Sequence, residues 1–79
     1  MKFAEAVQKA RKMRGFSQGA LADKCGWTRS KQSHIETGRY GEPKAKDRAR
    51  LQEVLECTFV AGADPDSWDI TAAPISSRA

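Results

Sequence analysis

A chain of 79 residues supplies one small core and no cleft between domains, since a domain of this size buries only roughly three fifths of the surface its unfolded form exposes. With 39% hydrophobic and 30% charged residues, three Pro and six Gly, it falls outside the disordered and collagen-like classes, and its three Phe, one Tyr and two Trp suit a compact helical unit better than a large sandwich. The formal charge of +4 is unevenly spread: residues 1 to 50 hold 13 of the 14 Lys and Arg against five acids, a balance of +8, and residues 51 to 79 hold Arg78 against five acids, a balance of −4. The basic part fits a polyanion, an anionic surface or an acidic protein partner.

From Lys2 to Arg14, Phe3, Ala6, Val7, Ala10 and Met13 recur at intervals of three and four, which predicts an amphipathic helix ending at Gly15. Phe16 packs back on the helices, and Ser17 is placed to cap a second helix from Gln18 to Lys24 or Cys25, with Leu21, Ala22 and Cys25 on its buried face. Gly26 stops that helix, Trp27 reads as a core or hinge aromatic, and Thr28 caps a third helix from Arg29 to about Thr37, stopped by Gly38. Within that third helix Ile35 is the lone apolar residue, so most of its circumference is left for water or a ligand, and its neighbours must hold it.

Arg39 to Pro43 reads as a loop. A fourth helix follows from Lys44 or Ala45 to Glu56, burying Leu51, Val54 and Leu55 with Ala45 and Ala49 on or near the same side. Around Thr58, Phe59 and Val60 the chain is β-branched enough for a short strand, or is the packed exit of the helix. Asp64 and Pro65 suggest the start of a short final helix carrying Trp68 and Ile70, and residues 72–79 read as a frayed tail.

Cys25 and Cys57 are expected as free buried thiols, in keeping with a reducing cytoplasm. Two Cys and one His at these spacings form no zinc motif, so neither a metal nor any other cofactor is expected. No apolar run approaches the roughly 18 residues of a membrane span, and Met1 to Glu5 do not read as a secretory leader, so export and the membrane are set aside. Catalysis finds little support: Ser33 and His34 are helical neighbours that point about 100° apart, with no carboxylate placed to orient the imidazole.

Two short helices around a Gly-containing turn, the second exposed and bearing Arg, Lys, Ser, Gln and His, form a helix-turn-helix candidate whose second helix fits a DNA major groove. The bias of the same half toward Lys and Arg agrees with that. Arg29 stands at the first turn of the third helix, where a cation opposes the helix dipole, and its two-donor fork can engage guanine. Lys31, Arg39, Lys44 and Lys46 are candidates for phosphates, which fix register without reading sequence, and Arg48 and Arg50 either join them or serve a subunit contact. His34 is either a base contact or a plain surface residue.

The chain resembles the Cro/C1-type helix-turn-helix domains of phage repressors and related bacterial regulators. The likeness runs from about Ala6 to Leu55 and rests on Arg11-Lys12-Met13-Arg14-Gly15-Phe16-Ser17-Gln18, Leu21-Ala22-Asp23-Lys24-Cys25-Gly26-Trp27-Thr28, Ile35-Glu36-Thr37-Gly38-Arg39, Pro43, and Leu51 with Leu55. It implies an all-α, compact domain of four to five helices, followed by a short C-terminal strand or extended segment. The divisions expected are 1–57 for the DNA-binding domain, 58–71 for a packing or dimerisation segment and 72–79 for a flexible tail. The resemblance gives Gln18 a phosphate contact and a bracing role, pairs Arg11 with Glu36, and aims Arg29, Ser30, Ser33 and His34 at the groove. It makes Gly38 and Arg39 the turn and backbone contact that follow, with Lys44 nearby.

Two positions depart from the family pattern. Gln32 stands where these proteins place Val or Ile, and Ala45 and Arg48 stand where the fourth helix has large apolar residues. Either Gln32 finds a hydrogen-bond partner or the third helix rotates or loosens, since an unpaired buried amide costs about 1 to 3 kcal/mol. The leading functional expectation is a cytoplasmic, homodimeric regulator of a palindromic double-stranded DNA operator, most like a small phage repressor, with Phe59, Val60, Trp68 and Ile70 serving dimerisation. The alternatives are an antitoxin that covers a small protein partner, and a protein-interaction module that keeps the scaffold.

Overall fold

The computed structural model describes residues 1–39, 44–64 and 66–71. Four helices, α1 (Phe3–Met13), α2 (Gln18–Cys25), α3 (Arg29–Thr37) and α4 (Ala45–Leu55), are followed by the strands β1 (Thr58–Val60) and β2 (Asp69–Thr71). Local signals set most boundaries. The Glu5 carboxylate accepts from the Lys2 amide at 2.9 Å, the Ser17 hydroxyl from Ala20 N at 3.0 Å and the Thr28 hydroxyl from Lys31 N at 3.1 Å, so each of the first three helices starts with an orphan amide satisfied. Gly26 closes α2 in the left-handed region at φ 83°, which a Cβ would disfavour, and Trp27 N–H returns to Ala22 O at 3.1 Å.

The core gathers Phe3, Ala6, Val7 and Ala10 of α1, Leu21 and Cys25 of α2, Ile35 of α3, Leu51 and Leu55 of α4, and Cys57 and Phe59 beyond it. Phe16, Trp27, Val54, Trp68 and Ile70 pack around that cluster half-buried. Both cysteines are free and buried. Burial pushes the Cys25 thiol up to about 11, with Arg50 opposing the shift, and raises that of Cys57.

The C-terminal segment departs from its sequence reading. Asp64 does not start a helix that carries Trp68 and Ile70. Instead Ile70 lies in β2, antiparallel to β1 in the register Thr58 to Thr71, Phe59 to Ile70 and Val60 to Asp69. Asp64 closes a turn, its carboxylate accepting from the Ser67 hydroxyl and its carbonyl from Ser67 N at 3.0 Å. Gly62 N–H donates to Ser67 O, and the backbones approach so closely that a Cβ on Gly62 would sit 2.6 Å from Ser67 Cβ. Both N–H groups of the Phe59 and Ile70 pair go to side chains, to Gln52 Oε1 and Asp69 Oδ1, each at 2.9 Å. Trp68 N–H goes to Met1 O at 2.8 Å, which draws the N-terminus onto the hairpin.

Three further expectations are corrected. Met13 is 60% exposed because it sits at the last turn of α1, on the rim of a cleft with Ala10, Leu55 and Ile70 rather than inside the core. Ala45 and Ala49 are exposed, since the buried face of α4 runs through Asp47, Leu51 and Leu55, and Val54 is only half-buried on its edge. Phe59 is 3% exposed and Trp68 is half-buried, both in ring contact with Phe3, so the monomer's own core takes surface that the sequence reading reserved for a second subunit. Val60, at 47% exposed, is the outward residue of that set.

Candidate nucleic-acid interface

The pair α2 and α3, joined through Gly26, Trp27 and Thr28, presents one side of α3 to solvent. At 100° per residue Arg29, Ser30, Ser33, His34 and Thr37 share an arc of about 140°. Arg29, Ser30, His34 and Thr37 are exposed and Ser33 is half-buried, whereas Gln32, Ile35 and Glu36 on the opposite side are buried. This arc contains all four residues predicted to face a groove. At its end Gly38 is left-handed at φ 84° and Arg39 is exposed. Lys44 and Lys46 are exposed at the start of α4, while Tyr40 to Pro43 lie outside the described residues.

A buried carboxylate fixes the orientation of that arc. Glu36, 2% exposed, receives Arg11 Nε at 3.0 Å on Oε1 and 2.9 Å on Oε2. Gln18 Nε2 donates to Oε1 at 3.3 Å and Gln32 Nε2 to Oε2 at 2.6 Å, while Gln8 donates to the Glu36 carbonyl. Arg11 also donates through Nη1 to Phe16 O at 2.9 Å. One anion therefore ties α1, α2 and α3 together, and among the described residues no buried side-chain N or O atom lacks a partner. The pairing of Arg11 with Glu36 and the bracing by Gln18, both implied by the family resemblance, are present as geometry.

Gln32 resolves the question its position raised. It is fully buried, and its Oε1 accepts from Trp27 Nε1 at 2.9 Å while its Nε2 serves Glu36. Helix α3 keeps its outward face because the amide is satisfied in place. Lys31, predicted to reach phosphate, lies outside the exposed arc: its ammonium pairs with Asp47 at 3.2 Å and stands 4.5 Å above the Trp27 ring. The buried Asp47 was not legible as a partner from sequence, because sixteen residues separate it from Lys31. Arg48 lies 5.9 Å from the Trp68 ring centre and Arg50 pairs with Glu53 at 3.1 Å, so both make contacts within the chain.

Opposite charges are kept apart along the chain. Arg29, Arg39, Lys44 and Lys46 gather on α3, just after it and at the start of α4, whereas Glu53, Glu56, Asp64, Asp66 and Asp69 fall on the end of α4 and the hairpin segment. Such an arrangement draws a polyanion to one part of the surface. A model of the helix-turn-helix domain matches residues 2–66, which span all four helices and β1. The chain belongs to the helix-turn-helix domain family. That membership, which agrees with the Cro/C1-type likeness, makes it a DNA-binding regulator in broad terms. No curated protein and no solved structure gave a match. Among the described residues no helix is long and apolar enough to cross a membrane.

Proposed function

We propose that this helix-turn-helix protein represses transcription as a homodimer, each copy laying α3 in the major groove of one half of a palindromic operator. The observation that carries the reading is the exposed arc of Arg29, Ser30, Ser33 and His34, held opposite a fully satisfied polar interior. Arg29 and Ser30 occupy the first turn of α3, the part of a recognition helix that meets base edges in this motif. Arg39, Lys44 and Lys46 follow as cations for the flanking phosphates, and Gln18 adds a neutral hydrogen bond from the start of α2. One α3 covers half of such a site, and two-fold symmetry supplies the other half. With Phe59 buried, Val60 and the half-buried Trp68 and Ile70 remain as the C-terminal surface for a subunit contact.

The experiment is selection from a random duplex library, followed by titration on the preferred site and its single-base variants. Arg29→Ala should relax preference at one base-pair position, at a cost of about 1 to 3 kcal/mol there. Lys44→Ala should weaken all sites alike and reduce the salt slope by about 0.9. Binding of one protein per selected site would refute the dimer, and failure to select any duplex would refute operator binding and favour a protein-interaction role.

A further inference from the structure

Gln32 touches no surface, yet it joins the two ends of the proposed reading head. Its amide sits between an acceptor and a donor that cannot exchange roles: the Glu36 carboxylate only accepts and the indole N–H of Trp27 only donates. Its orientation is thereby fixed with Nε2 on Glu36 and Oε1 on Trp27. Trp27 immediately precedes Thr28, the cap of α3, so the 2.9 Å bond from Trp27 to Gln32 pins the chain's entry into the helix that carries Arg29 and Ser30. At the other end Glu36 holds Gln18 of α2 and Arg11 of α1. The Trp27 ring also lies beneath the Lys31 ammonium, which reaches Asp47 of α4. A valine in place of Gln32 could fill space, but apolar packing lacks the directionality of hydrogen bonds and would leave rotation of the first turn of α3 less defined.

We infer that Gln32 is a positioning residue for sequence reading: through Trp27 and Glu36 it locks the first turn of α3 against the start of α2, so that Arg29 and Gln18 engage DNA in one fixed relation. The sequence-reading part rests on the DNA-binding function proposed above. The locking part stands on the hydrogen bonds alone, and the two are tested separately.

The variants are Gln32→Met, which keeps length but removes both hydrogen bonds, and Trp27→Phe, which removes the donor from the other side and keeps a ring. Without DNA, native-state hydrogen exchange by NMR should show amides of the first turn and middle of α3 exchanging about tenfold faster, with α1 amides such as Val7 and Ala10 unchanged. Uniform acceleration in both helices, or none, would overturn the locking role. With DNA, both variants should keep the wild-type salt slope yet lose about five- to tenfold of the discrimination at the base pair that Arg29→Ala relaxes, the effect of one lost hydrogen bond. Undiminished discrimination in the folded variants would reduce Gln32 to a packing residue. If Gln32→Met does not fold, Trp27→Phe alone decides both arms. Wild-type protein that selects no duplex would overturn sequence reading by Gln32 together with the operator model, and the exchange arm would still judge the lock.

Discussion

Between α1 and α3 the interior is held by a carboxylate, whereas between α1 and the hairpin it is held by rings. Around Glu36 every contact is directional: Arg11, Gln18 and Gln32 converge on two oxygens within 3.3 Å. Around Phe3 the contacts are edge-on, with the Phe59 centroid at 5.3 Å and that of Trp68 at 4.9 Å. The first arrangement sets how α3 is turned and tolerates no missing member, because a charge left alone in the interior has no water to recover. The second supplies apolar burial that closes the chain and asks mainly for volume. The fold thus spends its directional bonding behind the helix that faces a ligand and its shape-tolerant packing away from it.

The largest effect is expected at the carboxylate. Glu36→Ala strands the Arg11 guanidinium and should cost about 3 to 5 kcal/mol, a large share of the stability of a domain this small, as read by urea denaturation. A cost under about 1 kcal/mol would mean that the polar centre resembles the aromatic one after all. Gln32→Val comes next. It exchanges a satisfied amide for apolar volume, leaves Trp27 Nε1 without its acceptor and should destabilise by about 1 to 3 kcal/mol. A stabilised variant would contradict the directional role of this centre.

In the aromatic seam the expected response is milder. Phe59→Leu should cost about 1 kcal/mol, since apolar replacements of similar volume are the best tolerated, and should leave base discrimination unaltered. Altered discrimination would show that the seam also steers α3. The smallest effect is pH dependence from the buried thiols. Cys25 is raised from 9.0 to about 11 by burial, so below pH 9 both folded and unfolded thiols keep their protons and stability is insensitive to them. Between 9 and 11 the unfolded thiol ionises first, the folded state binds more protons, and stability falls as pH rises. Comparing urea midpoints of wild type and Cys25→Ala across that range isolates the contribution, and parallel profiles would refute it.

What could be read from the sequence follows from the reach of each signal. The bounds of α2 and α3 were legible because Ser17, Gly26, Thr28 and Gly38 act within a few residues of the helix ends they set. The outward arc of α3 was legible for the same reason, since helical spacing alone assigns Arg29, Ser30, Ser33 and His34 to one side. The family likeness supplied the partners Arg11 and Glu36, which lie 25 residues apart and carry no local mark of their pairing. Where neither source applied, the reading failed. Asp64 and Pro65 have the composition of a helix start, but the contact that decides the region is the pairing of Phe59 with Ile70. Ala45 and Ala49 look like core residues until Lys31 draws Asp47 inward. Gln32 looked like a defect because its partner Trp27 lies outside the helical spacings of three and four.

The hairpin has a consequence for how copies of the protein can meet. Short strands ordinarily advertise rows of free amides that recruit strands from other molecules, the first step toward domain swapping and fibrils. Here the Phe59 amide is occupied by Gln52, the Ile70 amide by Asp69 and the Trp68 amide by Met1. Each outward donor is already spoken for by a group of the same chain, so the hairpin offers a poor template for templated growth. Association between copies is thereby steered to side chains, where a contact can be finite and reversible, and a concentrated solution of the protein should form discrete particles rather than ribbons.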